Sequence, residues 1–522
     1  MQGHRRDLVL AGGSVLDGTG AAPVTADVRV SAGRIVEVGQ LGVADSPGTL
    51  VRDVTGCVLA PGFIDLHSHS DFTLFSAPDA VTQATQGVTT LVTGNCGFSP
   101  FPVTDRYAAD LREMSGFLDD GLPWTWSSAR EYAEALSGLG LGVNVAPLVG
   151  HGALRIAAMG AEDRAPDDAE LARMRRLLAE SLSVSPGMST GLIYAPGLYA
   201  GTDEIVALAR ETVAAGGFYA THMRDEQDHL FEAITEALTI ARRSGVRLQL
   251  SHLKASRQRN WGKVSEALRM VDAARVDGLD VAVDQYPYTA SSTTLTTFLP
   301  SWAMDGGTPA LLGRLADPQV SARILDEVDI DGDRVVLADT GPGPYAAALG
   351  RSIAEIAGEA GVGVEHAVLD VLRAQQGRTG IVHHSMAEDD VRTVLRHPLV
   401  AVASDSHTPG CPGRGNPHPR GLGTFTRVLG RYARDEGVLG LADAVRKMTA
   451  LPASRLGWSD RGVIRPGAVA DLVVFDPTTV IDRADFGDPW RLSTGVLDTF
   501  VAGTATLWQG EPTGAGPGTV LR

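Results

Sequence analysis

Pro61-Gly62-Phe63-Ile64-Asp65-Leu66-His67-Ser68-His69-Ser70-Asp71 is the stretch on which the reading of the fold turns. A Pro-Gly turn signal leads into an apolar run, and the run closes on two histidines spaced His-x-His. Alternate side chains of a strand share a face. In a strand, then, His67 and His69 point the same way, as two ligands of one metal ion must. Taken alone, the pair is also compatible with two unrelated polar residues at a strand end. The decision comes from what lies at the ends of the other apolar runs.

Those runs follow in a regular order. Candidate strands cover residues 63–67, 89–93, 144–148, 190–194, 218–222, 247–251, 280–284, 380–383 and 400–404. Amphipathic segments separate them. Residues 167–183 carry Leu171, Met174, Leu177, Leu178 and Leu182 at helical spacing, and residues 231–243 do the same with Phe231, Ile234, Leu238 and Ile240. Strand and helix in alternation imply βα units around a parallel sheet. The stretch 61–455 exceeds the ~250 residues usual for a (β/α)8 barrel, so an α/β TIM-like barrel with an insertion is expected. Nine candidates stand where eight strands are needed, with 380–383 or 190–194 the surplus one. Loop-like sequence at 290–345 is read as the insertion, covering the site.

Both chain ends have a different texture. In 1–60, short runs such as Leu8-Val9-Leu10 and Val28-Arg29-Val30 are punctuated by Gly and Asp, and Ala32-Gly33-Arg34 reads as a hairpin turn. In 456–522 the pattern returns, most clearly at Leu472-Val473-Val474-Phe475. The two ends are expected to build one small β-sandwich domain together. A Gly-x-Gly-x-Gly at 138–142 has no strand leading into it, which removes it as a dinucleotide site.

Composition narrows the classes. The 522 residues are 44% hydrophobic and 20% charged, and 45 Lys and Arg against 62 Asp and Glu leave a net charge of −17. An acidic chain without a basic cluster argues against nucleic acid or an anionic membrane as partner, leaving a small-molecule substrate. No run has the length of a transmembrane helix, and Met1-Gln2-Gly3-His4-Arg5-Arg6 precedes no adequate apolar core for a signal peptide. Three cysteines, Cys57, Cys96 and Cys411, fit free thiols in a reducing compartment better than disulfides. A cytoplasmic location is expected.

Barrels of this kind carry their working residues at the C-terminal ends of the strands. Read in order, those ends give His67, His69, Cys96, His222, His252 and Asp405. Each has an ordinary reading by itself: Cys96 as a small buried hydrophobe, His222 or His252 as a hydrogen-bonded strand end, Asp405 as a helix cap. Six metal-type donors at strand ends together indicate a metal site, and imidazole with thiolate suits Zn²⁺.

The same residues resemble a known family. Pro-Gly-Phe-Ile-Asp-x-His-x-His with later His, His and Asp is similar to the amidohydrolase superfamily. Gly94-Asn95-Cys96-Gly97, Thr221-His222-Met223-Arg224-Asp225-Glu226, Ser251-His252-Leu253-Lys254, Tyr286-Pro287-Tyr288 and His418-Pro419-Arg420 resemble the D-aminoacylases, the N-acyl-D-amino-acid deacylases, in particular. The resemblance implies that Cys96, His222 and His252 hold a tight zinc, with Cys96 in place of the carboxylated lysine of many relatives. It implies a second, weaker metal position at His67, His69, Cys96 and Asp405. It makes Tyr286, in preference to Tyr288, the oxyanion donor and Arg420 the anchor of the substrate carboxylate, a role its planar fork suits. Zinc lowers the pKa of a water it binds toward about 7 and polarises an amide carbonyl. Asp405 would then act as general acid and base.

Two further residues are candidate substrate contacts. Lys254, two after His252, faces the substrate or makes a salt bridge behind the ligands. His151, after Val149-Gly150, ends a candidate strand and faces the pocket if that strand runs on. His407 and His418 are placed at the mouth, and one of His383 and His384 approaches the site if 380–383 is a barrel strand. His4, His229, His366 and His397 read as surface or structural. The expected activity is zinc-dependent hydrolysis of N-acyl-D-amino acids. Alternatives on the same barrel are a cyclic-amide hydrolase of the hydantoinase or dihydroorotase kind and a D-dipeptidase. A non-catalytic barrel with a structural metal is disfavoured, because a structural site is closed by four protein ligands and Asp405 sits at the metal edge.

Overall fold

A computed structural model describes residues 7–41 and 48–522; His4 and the 1–6 stretch lie outside the described residues. Eight parallel strands form the barrel: β1 (Phe63–Asp65), β2 (Val88–Thr93), β3 (Asn144–Pro147, continued by Val149–Gly150), β4 (Gly187–Gly191), β5 (Phe218–His222), β6 (Arg247–Leu250), β7 (Val281–Gln285) and β8 (Val400–Val402). Each pairs in parallel with the next from β1 to β8. The ring closes beyond β8, where the Asp405 N–H donates to the His67 carbonyl at 2.9 Å and the His69 N–H to the Ser406 carbonyl at 2.8 Å.

The surplus candidate is 380–383. Strand Gly380–His383 pairs antiparallel with Ser291–Thr294 and Val335–Asp339, outside the barrel. This enlarges the insertion expected at 290–345: it leaves β7 near Ser291 and returns only after His383. Its helices Gly307–Ala316, Pro318–Glu327, Ile353–Ala360 and Val364–Ala374 pack on a core of their own, with Leu311, Ile324, Val368, Leu372 and Ile381 buried together. Helix followed by apolar strand reads in sequence like one more barrel unit, and only the antiparallel pairing separates the two. The 190–194 candidate is displaced to β4. The run Leu192-Ile193-Tyr194 carries the apolar signal but belongs to the loop, while the strand itself uses the small residues Gly187, Ser189 and Thr190 beside Met188.

The chain ends share one nine-stranded sheet. Val58–Pro61 pairs in parallel with Leu8–Val15 and antiparallel with Leu472–Phe475. Leu10, Val28, Ile35, Leu59, Leu472 and Phe500 are buried in its common core. Ala32 and Gly33 have φ of +49° and +79°, the positive pair a two-residue hairpin between Val24–Ser31 and Arg34–Gly39 requires. Gly62 is the single residue between this sheet and β1. Among the described residues, no helix is long and apolar enough to cross a membrane.

Candidate active site

Barrel closure itself assembles the first donors. The two backbone hydrogen bonds between the 67–69 and 405–406 segments bring His67, His69 and Asp405 side by side. Asp65, inside β1, fastens the same seam by accepting from the Ser404 N–H at 2.9 Å and its hydroxyl at 2.5 Å. Cys96 comes from the turn after β2. A Cβ on Gly191 would lie 2.0 Å from the Cys96 carbonyl oxygen, so the bare Gly191 backbone is what lets this turn settle against β4. Cys96, His252 and Asp405 all have positive φ, at +52°, +34° and +51°. Non-glycine residues rarely adopt such values, and they cluster at functional sites.

Two donor sets meet at one sulfur. Cys96 Sγ lies 3.6 Å from His222 Nδ1, 3.5 Å from His252 Nε2 and 3.3 Å from His67 Nε2. Asp405 Oδ1 is 3.2 Å from both His67 Nε2 and His69 Nε2. The groupings are thus Cys96, His222 and His252, and His67, His69, Cys96 and Asp405, with the donor atoms of each within 4.8 Å of one another. Behind them stand carboxylates. Glu226 Oε1 is 2.9 Å from His252 Nδ1, its Oε2 is 3.5 Å from His222 Nε2, and Asp284 Oδ1 is 3.3 Å from His67 Nδ1. A carboxylate on the outer ring nitrogen fixes tautomer and orientation, as metal-ligating histidines require.

Electrostatics favour charged donors. Burial alone would push the Cys96 thiol up, but His67, with His222 and His252, outweighs it and holds the thiol well below its ordinary range. Burial likewise opposes ionisation of Asp405, and Arg420, then His252 and His67, hold its carboxyl well below the usual value. A buried Cys96 thiolate with the His67, His222 and His252 imidazoles within 3.6 Å of its sulfur is a donor set that fits zinc.

The amidohydrolase family matches residues 50–506. An N-acyl-D-aspartate deacylase of Alcaligenes xylosoxydans xylosoxydans is 38% identical over 99% of this chain and 95% of its own length. A D-aminoacylase of the same organism is 38% identical over 99% and 97%. The crystal structure of the N-acyl-D-glutamate deacylase of Bordetella bronchiseptica, complexed with zinc and a phosphonate mimic of the tetrahedral intermediate, is 36% identical with a TM-score of 0.84, covering 99% of this chain and 100% of that one. This chain belongs to the amidohydrolase family, among its D-aminoacylases.

The site opens at the C-terminal strand ends, where (β/α)8 barrels carry their working residues, here as a cavity of about 400 Å³. Tyr286 lines it and is buried, whereas Tyr288 turns its hydroxyl to the Pro419 carbonyl at 3.5 Å. Burial raises the Tyr286 phenol well above its ordinary value, so it stays a donor. The Arg420 guanidinium stacks on the Tyr286 ring at 4.7 Å and donates to Asp405 Oδ2 at 2.7 Å. His418 accepts from the Arg420 N–H at 3.1 Å and bonds the Ala290 carbonyl at 2.9 Å, which seats the loop that carries Arg420. His407 and His383 also border the cavity. The latter arrives on the insertion and not on a barrel strand.

One open alternative is settled and one reading changes. Lys254 borders the cavity, but its ammonium is held by Glu226 Oε1 at 2.6 Å, 2.8 Å from His252 Nδ1. Of the two alternatives it takes the salt bridge, behind His252. His151 is corrected outright as a substrate contact. The strand stops at Gly150 and helix His151–Met159 begins, so the ring turns away from the cavity to Glu204, at 2.8 Å, beside Arg155 at 2.6 Å from the same carboxylate. Sequence reasoning passed over Glu226 and Asp284. Glu226 lies four residues after His222, and Asp284 ends the 280–284 candidate strand; a carboxylate near each ligand was the available signal.

Proposed function

We propose that this chain is a zinc-dependent N-acyl-D-amino-acid deacylase acting on linear amides. The observation that carries the reading is the pair of donor sets sharing Cys96, with Arg420 and Tyr286 at their edge. Cys96, His222 and His252 would hold the tight zinc, and His67, His69, Cys96 and Asp405 the second position. Zinc there supplies Lewis acidity toward a water and toward the amide carbonyl. Arg420 receives the α-carboxylate of the substrate through the guanidinium N–H groups that Asp405 leaves free. Tyr286 donates its hydroxyl to the oxygen that gains negative charge as the carbonyl is attacked. Asp405 takes the proton of the attacking water and returns it to the amide nitrogen as the C–N bond breaks. The products are a carboxylate and a free D-amino acid.

Glu226 and Asp284 fix the histidine rings, and Lys254 neutralises Glu226. The partner is a small N-acylated acid; the charge of −17 opposes nucleic acid. The reading places the protein in the cytoplasm, in keeping with its three unpaired cysteines. Hydrolysis of N-acetyl-D-methionine and N-acetyl-L-methionine, before and after chelation and zinc add-back, is the test. Zinc-restored turnover of the D form alone is expected. Turnover of neither, with zinc bound, redirects the search to cyclic amides and D-dipeptides.

A further inference from the structure

Tyr286 and Arg420 stand on different elements, and one substrate must meet both. Tyr286-Pro287-Tyr288 follows β7, and Arg420 opens helix Arg420–Arg427 beyond β8. A second arginine laces the two together. Arg427, seven residues and about two turns after Arg420, lies on the same side of the helix. The Arg420 guanidinium stacks on the Tyr286 ring at 4.7 Å, and that of Arg427 on the Tyr288 ring at 4.6 Å. Arg427 Nε donates to the Pro287 carbonyl at 2.9 Å. The Tyr432 hydroxyl is farther from that carbonyl, at 3.4 Å, and lies 2.7 Å from Glu388 Oε1. Nothing in the reaction as proposed uses Arg427.

What holds Arg427 comes from outside the barrel. Its Nη1 donates to Asp482 Oδ2 at 2.7 Å, and the Asp482 side chain is only 7% exposed. Asp482 lies in the segment that joins strands Leu472–Phe475 and Val496–Val501 of the β sheet, closed at its base by the pairing of Ile481 with Thr494. The same segment grips the helix at its middle, where Ser493 Oγ donates to the Leu422 carbonyl at 2.7 Å. It also grips the loop before the helix, where Trp490 Nε1 donates to the Gly415 carbonyl at 3.1 Å. A Cβ on Gly423 would lie 2.7 Å from both the Tyr288 hydroxyl and Asp482 Cβ. Helix, Tyr-Pro-Tyr turn and sheet segment therefore meet across a bare glycine backbone.

We propose that Arg427, held by Asp482, is a positioning residue that fixes Tyr286 relative to Arg420 and so sets the spacing of oxyanion donor and carboxylate anchor. The proposal rests on the deacylase reading, in which both groups act on one substrate. The guanidinium is needed for its shape. A planar fork stacks on Tyr288 while donating in two directions, to Pro287 and to Asp482; an ammonium offers its charge as a point and cannot do all three. An error of about 1 Å in such a spacing costs up to about 10²-fold in rate.

The test is a double-mutant cycle on the zinc-loaded full-length enzyme, read as kcat on N-acetyl-D-methionine per bound zinc, with the thermal melt recorded for each protein. Arg427→Lys keeps a positive charge opposite Asp482. It is expected to fold and bind zinc but to lose about 10–100-fold in kcat. Tyr286→Phe removes the donor itself and should lose about 10²–10³-fold. The double variant should stand within about twofold of Tyr286→Phe alone, because the spacing no longer matters once the donor is gone, whereas independent losses multiply. Asp482→Asn, which leaves Arg427 unclamped, should lower kcat in the same way and likewise lose its effect beside Tyr286→Phe; it carries the test if Arg427→Lys does not fold. Losses that multiply, or a lowered melting midpoint with kcat per zinc intact, reduce Arg427 to a structural contact and overturn the proposal while the deacylase reading stands. Absence of turnover in the zinc-loaded wild type overturns both.

Discussion

Cys96 belongs to both donor sets, and Asp405 to only one. That asymmetry separates metal holding from turnover. Asp405→Ala leaves Cys96, His222 and His252 untouched, so metal analysis of the purified variant should still find about one zinc. Its kcat should fall about 10²–10⁴-fold, the range for a lost general acid and base; near-normal turnover would remove Asp405 from that role. Glu226→Ala acts in the opposite sense. It strips the outer partner from His222 and His252 and should weaken zinc binding about 10–100-fold, read by competition with a chelator. At this scale the candidate donors were legible because each sits where an apolar run stops. Glu226 was not, because it reaches back from a loop and no periodicity announces such a return. His151 failed for a related reason: one residue decides whether a strand continues or a helix begins, and the Gly150–His151 boundary falls on the wrong side for a pocket residue.

Helices His151–Met159 and Thr202–Ala214 flank β4 and are joined by the buried contact of His151 and Arg155 with Glu204. Burial alone would raise the Glu204 carboxyl; His151 and Arg155 outweigh it and bring it below the ordinary value of 4.5. A carboxyl depressed on folding contributes stability that is complete above the unfolded value and is lost as pH falls through the folded one. Arg155→Leu strands a buried charge and should cost about 3–5 kcal/mol at neutral pH. Thermal unfolding of wild type and variant at pH 7 and pH 4 checks the sign. The gap between their midpoints should narrow at the lower pH, and a gap that widens on acidification refutes the linkage. Among elements, the eight barrel strands were readable from apolar runs, with β4 displaced because its loop is more hydrophobic than the strand. The insertion was under-read because its second half repeats the helix-and-strand texture of the barrel, and texture carries no pairing direction.

At the scale of the whole molecule, the common β texture of the two ends led to the expectation of one small β-sandwich domain, and the structure pairs them in one nine-stranded sheet; the final residues do something composition does not signal. Val145 in β3 donates to the Thr519 carbonyl at 3.0 Å and accepts from the Leu521 N–H at 2.7 Å. Thr519 also bonds the Asn144 side chain at 3.2 Å. The last segment therefore latches onto the barrel, whereas strand Val496–Val501 is built into the β sheet: it pairs with Leu472–Phe475, buries Phe500, and donates from Thr499 to the Ala84 carbonyl at 2.8 Å. Two truncations distinguish these roles. Ending the chain after Thr513 removes a few backbone hydrogen bonds, each worth about 0.5–1.5 kcal/mol. It should lower the unfolding midpoint by a few degrees and leave kcat unchanged, because every donor residue stays in place. Ending it after Gly495 exposes the edge of Leu472–Phe475 and empties part of the sheet core, and should yield no folded enzyme, measured as loss of the cooperative melt and of bound zinc. A folded, zinc-loaded product of the longer truncation would mean that the barrel stands without the sheet, and that the two-ended domain is an appendage instead of a support for β1 and its histidines.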